Sequence, residues 1–231
     1  MLRRHELAGQ SCIDEDVRLG GIRHRLTPVC SPRSTAQRTA PELVLCDRPK
    51  SSTMEPMTRA DSAGDDAPPF RVSFVCTGNI CRSPMAEVVL RAHADRAGLG
   101  DRLSIESAAT GDWHVGEPAD RRTVDALERA GYDGSGHRAR QFEATDFPRL
   151  DLVVAFDRGQ ARILRNWAPG AAEQEKVRML LEFGPDSAEL QDVPDPYYSD
   201  EPMFDRVLEM IERSTSALFR QLAPALRQGI R

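Results

Sequence analysis

The sequence predicts an α/β fold: a parallel sheet of four strands with helices on both faces, preceded by a disordered N-terminal extension. Three observations carry this. From Phe70 onward, short apolar runs alternate with longer segments whose apolar residues recur at helical spacing. Two of the runs, Leu150–Phe156 and Val177–Leu181, are rich in Val and Leu, as strands buried on both faces are. Residues 1–69 show no such pattern.

The elements follow in order. Arg71–Val75 alternates apolar and polar residues and reads as the first strand. A helix over Pro84–Ala97 comes next, with Ser83 as its expected N-cap and Pro84 in the first helical position. Leu103–Ala108 is the second strand, and a helix over Glu117–Ala130 stops at Gly131. The third strand, Leu150–Phe156, leads into a helix over Asp157–Trp167 that opens on a capping aspartate. After the fourth strand, Val177–Leu181, the last helix spans about Glu201 to Ala223. Its Phe204, Val207, Leu208, Ile211, Leu218 and Leu222 form one apolar face.

The folded domain is expected over 70–231. Residues 1–69 are rich in Pro, Ser, Thr and Arg, and only Leu43-Val44-Leu45 clusters apolar side chains. Such a segment buries too little apolar surface to offset the entropy of ordering itself. Met54 and Met57 stand just before the ordered pattern, so part of it reads equally well as sequence upstream of a later start. The segment holds ten basic and ten acidic residues, so the net charge of −5 sits on the remainder. That balance argues against a nucleic-acid binder held by a broad basic field. No apolar stretch approaches the roughly 18–20 residues of a membrane helix. The basic start Met1-Leu2-Arg3-Arg4 lacks the apolar core of a signal peptide. Five scattered cysteines do not suggest a disulfide framework, and a reducing cytoplasm is the expected compartment.

The most informative stretch is Val75-Cys76-Thr77-Gly78-Asn79-Ile80-Cys81-Arg82-Ser83-Pro84. It places a thiol, a guanidinium and a ring of backbone amides where a strand hands over to a helix. In an open parallel sheet that is the binding edge. The helix start and Arg82 favour a thiolate on Cys76, the reactive form, and equally favour a tetrahedral dianion above it. Gly78 gives the backbone room to turn, and Asn79 tolerates left-handed geometry. Arg82 offers a planar fork for two oxygens of the anion. Ser83 is placed to donate its hydroxyl to the Cys76 sulfur. Cys81 either packs inside the loop or forms a reversible disulfide with Cys76.

Cleaving an ester of such a dianion also needs a proton for the leaving oxygen. Asp195, in Asp192-Val193-Pro194-Asp195-Pro196-Tyr197-Tyr198, is the candidate. It precedes the last helix in a segment that can fold over the loop. Tyr197 and Tyr198 suggest one aromatic wall of a cleft and Trp113 the opposite wall.

These residues resemble the low-molecular-weight protein tyrosine phosphatases, in their bacterial and actinobacterial form. The resemblance rests on Val75 to Glu87, on Ser107-Ala108-Ala109-Thr110-Gly111-Asp112-Trp113-His114-Val115-Gly116, on His137-Arg138-Ala139-Arg140 and on Asp195-Pro196-Tyr197-Tyr198, in that order over about 70–225. It implies a flavodoxin-like, four-stranded parallel sheet and hydrolysis of protein phosphotyrosine through a cysteinyl-phosphate intermediate. Cys76 would be the nucleophile, Arg82 the phosphate clamp and Asp195 the acid, then base. Thr77, Gly78, Asn79, Ile80, Cys81 and Ser83 would line or shape the phosphate loop, with Ser107 and His137 supporting it. Trp113, Tyr197 and Tyr198 would wall the substrate cleft. The resemblance implies no metal or cofactor and phosphotyrosine-containing protein substrates, with pairing to a tyrosine kinase a family-level expectation; this chain is expected to be a monomer.

Three rivals differ at named positions. Arsenate reductases share the loop but relay a disulfide through further cysteines, and none follows Cys81. Protein-arginine phosphatases carry threonine where this chain has Ile80. A non-catalytic phosphate-binding module would need no full set of nucleophile, clamp and acid.

Overall fold

In the computed structural model, residues 69–185 and 192–229 are described. The extension expected over 1–69 lies, apart from Pro69, outside the described residues. Four strands, β1 Phe70–Cys76, β2 Leu103–Ala109, β3 Leu152–Ala155 and β4 Val177–Met179, form one parallel sheet in the order β2-β1-β3-β4. The expected four-stranded parallel sheet is therefore the observed one. After β2 the chain crosses to the other side of β1, so the point where strand order reverses lies between β1 and β3. A crevice opens there beyond the carboxyl ends of the strands.

Among the described residues five α-helices accompany the sheet: α1 Arg82–Arg96, α2 Arg121–Arg129, α3 Arg158–Trp167, α4 Ala171–Glu175 and α5 Glu201–Arg227. Successive strand residues point to opposite faces, and the core divides accordingly. Val72, Phe74, Leu152 and Val154 join α1 and α5 in one buried cluster. Val75, Val153 and Ala155 join Ala161 and Leu164 of α3 in another. The β2 edge is bridged by the connection after α2: the Ala109 amide donates to Arg140 O at 2.8 Å and the Phe142 amide to Ala109 O at 2.8 Å. Arg140 and Arg149 of that connection pair with Glu106 on β2, which keeps the edge covered.

Strand β3 is shorter than the expected Leu150–Phe156; four further element boundaries depart from expectation, each for a local reason. Helix α1 begins at Arg82 rather than Pro84, and no side chain caps it; the Ser83 hydroxyl is bonded elsewhere. Helix α2 begins at Arg121, because Asp120 is the cap, its carboxylate accepting the Arg122 amide at 2.9 Å. Strand β4 stops at Met179 and gives way to a 3-10 turn over Leu180–Phe183. Helix α5 runs through Pro224 to Arg227, since buried Leu222, Ala223 and Leu226 hold the last turn against the core. Helix α4 and the 3-10 turns Gly100–Arg102 and Ala144–Arg149 have no counterpart in the sequence reading.

Two substitutions in the β-strand and α3 layer should move stability in opposite directions. Leu164→Ala empties a fully buried site and should cost about 2–5 kcal/mol. The Ser73 hydroxyl is fully buried without a hydrogen-bond partner, so Ser73→Ala should gain about 1 kcal/mol. Urea-unfolding midpoints at unchanged slope check both.

Candidate active site

Strand β1 ends in Cys76, and the chain turns through Thr77–Cys81 before entering α1. The turn brings two donors to the Cys76 sulfur. The Asn79 amide donates to Sγ at 3.2 Å, and Ser83 Oγ lies 3.0 Å from it. Ser83 Oγ accepts from Asn79 Nδ2 at 2.8 Å, and its own proton has two acceptors within reach, the sulfur at 3.0 Å and, at the longer distance of 3.4 Å, Ala108 O. Sγ thus sits on a buried floor in hydrogen-bond contact with the Asn79 amide and the Ser83 hydroxyl.

Asn79 holds the turn. It is the one non-glycine residue with positive φ among those described, at 55°. Its side chain is fully buried and every polar group on it is used. Nδ2 donates to Ser83 Oγ and to Ser107 Oγ at 2.9 Å, and Oδ1 accepts the Arg140 amide at 2.9 Å. The main-chain carbonyl accepts from His137 Nε2 at 2.6 Å. A carbonyl can only accept, so the His137 proton is on Nε2. Burial pushes this imidazole below its ordinary range, which keeps it neutral. Ser107 Oγ donates to Glu87 Oε2 at 2.6 Å. Ser107 and His137 therefore stand behind the loop, outside the cleft.

Arg82 is buried on the opposite side of the loop. Its Nη1 donates to Asp157 Oδ2 and to Val193 O, both at 3.1 Å. Nη2 donates to Asp195 Oδ2 at 2.7 Å and to Thr77 Oγ1 at 3.3 Å. A fully desolvated guanidinium needs this balance of charge. Asp157 was legible as the cap of α3, and its Oδ1 does accept the Gln160 amide at 2.8 Å. Its second role beside Arg82 was missed, although its place just past β3, across the crevice from Cys76, pointed to it. Gln160 was also missed: its Nε2 donates to Thr77 Oγ1 at 3.0 Å.

A cleft of about 370 Å³ opens over the sulfur, lined by Cys76–Gly78, Ile80–Arg82, Trp113, His114, Asp195, Tyr197 and Tyr198. Trp113 and Tyr198 are 69% and 95% exposed, so aromatic surface stands at its rim. Tyr198 meets Tyr197 edge-on at 4.8 Å. Trp113 packs against Gly111, where a Cβ would fall 1.8 Å from the indole. His114 is a wall residue that sequence reading missed. Its Nδ1 is held by Glu117 at 2.7 Å, its ring lies 6.0 Å from that of Tyr197, and a Cβ on Gly78 would press on it at 3.0 Å. Close approach to His114, not positive φ, is thus what glycine serves at 78. Burial pushes the Cys81 thiol up to about 12, helped by Cys76 and Asp120 nearby, so it stays protonated. Among the described residues no three His, Cys, Asp or Glu side chains are grouped as metal ligands would be.

Burial also lowers His93 on α1, so two histidines take up protons in the unfolded chain before the folded one. A depressed folded value means stability is complete above the unfolded pKa of about 6.5 and lost as pH falls through the folded values. Stability should therefore decline from about pH 7 to 5, and less steeply in His93→Gln, with His137's share remaining. Denaturation midpoints unchanged over that window would contradict it.

A family model described as low molecular weight phosphotyrosine protein phosphatase matches residues 71–228. A low molecular weight protein-tyrosine-phosphatase of Streptomyces coelicolor is 52% identical over 150 residues, covering 64% of this chain and 91% of its own length. Low molecular weight protein-tyrosine phosphatase A of Mycobacterium tuberculosis is 46% identical over 151 residues, covering 65% and 90%. Among solved structures, YfkJ from Bacillus subtilis matches with a TM-score of 0.63 at 36% identity, over 68% of this chain and 96% of that one. Cys76, Arg82 and Asp195 all fall inside the matched span, and the chain belongs to the low molecular weight phosphotyrosine protein phosphatase family.

Proposed function

We propose that this chain hydrolyses protein phosphotyrosine through a cysteinyl-phosphate intermediate. The observation that carries the reading is the convergence of the Asn79 amide and Ser83 hydroxyl on Cys76 Sγ, with the Arg82 fork and Asp195 beside the same cleft.

In the first step the Cys76 thiolate attacks phosphorus and the bond to the tyrosine oxygen breaks. Asp195 gives its proton to that oxygen. Arg82 and the loop amides carry the charge on the three equatorial oxygens. In the second step water attacks phosphorus and Asp195 takes its proton. The S–P bond breaks, and phosphate leaves. The sulfur departs as a thiolate, which the Ser83 proton and the Asn79 amide stabilise. Asp195 Oδ2 rests on Arg82 Nη2, where a phosphoryl group would bind. Substrate competes for that fork and so frees Asp195 to turn toward the leaving oxygen.

Ile80, Trp113 and Tyr197 on the cleft support a flat aromatic leaving group. The reading takes phosphotyrosine proteins as partners of a cytoplasmic monomer, with a cognate tyrosine kinase as a further partner. No helix among the described residues is long and apolar enough to cross a membrane.

Wild type should hydrolyse an aryl phosphate and leave phosphoarginine intact, while Cys76→Ser hydrolyses neither. Asp195→Asn should lose roughly 10²–10⁴-fold in rate. Wild type acting on phosphoarginine alone would refute the substrate assignment. Ser83→Ala should slow breakdown of the phosphoenzyme more than its formation, read by rapid-quench single turnovers; equal slowing of both steps would remove Ser83 from the second step.

A further inference from the structure

Arg122, in the first turn of α2, is absent from the cleft lining yet bonds to both halves of the site. Its Nε and Nη2 grip the Asp120 carboxylate at 3.0 and 2.7 Å. The Asp120 amide in turn donates to Ile80 O at 2.9 Å, inside the nucleophile loop. Towards the other half, Nη1 donates to Ser199 O at 2.9 Å and Nη2 to Tyr197 O at 3.0 Å. The Tyr197 amide donates to Asp195 Oδ1 at 3.2 Å. Beneath, the guanidinium lies 4.4 Å from the ring centre of Phe204, fully buried in the first turn of α5. One planar group thereby fixes the Tyr197 backbone, which holds the Asp195 carboxylate, to the loop that holds Cys76.

We propose that Arg122 is the positioning residue that sets Asp195 over the leaving-group oxygen. The proposal rests on reading Asp195 as the general acid. Four of the five N–H groups of Arg122 are engaged in different directions. An ammonium cannot reproduce that fork, so lysine should fail although it keeps the charge. The expected consequence is specific. A misplaced acid matters when the leaving group is basic and hardly at all when it is not, and a displacement of about 1 Å can cost on the order of 10²-fold.

The test compares kcat/KM, which reports steps through phosphoenzyme formation, for phenyl phosphate and p-nitrophenyl phosphate. Phenol needs the proton; p-nitrophenol barely does. In both Arg122→Lys and Arg122→Ala the ratio of the two kcat/KM values should shift against phenyl phosphate by about 10–100-fold, in the direction given by Asp195→Asn. The ratio is independent of the fraction of folded enzyme, so a merely structural role would leave it unchanged. Arg129→Ala, which removes the neighbouring pair with Asp205, should leave it unchanged too. A selective loss in Asp195→Asn without one in Arg122→Lys and Arg122→Ala would overturn the positioning role alone. Equal loss on both substrates in Asp195→Asn would overturn the acid assignment, and the positioning role with it.

Discussion

The site depends on one residue held in an unfavourable backbone conformation. Asn79 takes a left-handed turn so that its amide faces the Cys76 sulfur. Such a turn persists only where its surroundings fix it. Here they do so from three directions: Ser107 on β2, Ser83 on α1, and the Arg140 amide and His137 in the segment after α2. The partners arrive on three separate parts of the chain, so the loop has its shape only when β2, α1 and the segment after α2 are in place.

Charge is arranged around that turn with the same economy. Arg82 is buried, and a buried guanidinium without partners would be very costly. Asp157 and Asp195 supply the counter-charge, and the Val193 carbonyl and Thr77 hydroxyl take remaining N–H groups. Asp157 is a helix cap and fixed, whereas Asp195 sits on a half-exposed loop. The exchangeable partner is therefore the one proposed for acid–base work. Two cysteines five residues apart are also separated by environment. Cys76 receives two hydrogen bonds at its sulfur, while burial keeps Cys81 a neutral thiol that packs inside the loop.

Much of the fold was legible because its signals are local. Runs rich in Val and Leu marked β3 and β4, and Asp157 marked the start of α3. The errors fell where a tertiary contact overrode a local preference. Ser83 looks like a helix cap, but its hydroxyl is taken by Asn79 and Cys76. Glu117 looks helical, yet the helix waits until Asp120 has docked its amide on Ile80. Pro224 looks like a stop, but burial on both sides of it carries α5 onward.

By itself the sequence singled out the Cys76–Arg82 loop and Asp195, because these residue types at this spacing have little other use together. It also determined that a parallel sheet would carry them at its binding edge. Only the tertiary structure decided which neighbours hold them. Asp157, Gln160, His114, Asp120 and Arg122 are ordinary caps and surface residues in the sequence. They become part of the site through contacts spanning up to 83 positions along the chain. Spacing in sequence reports what one loop or helix can do; it carries no record of which distant side chain will share its hydrogen bonds once the strands pair.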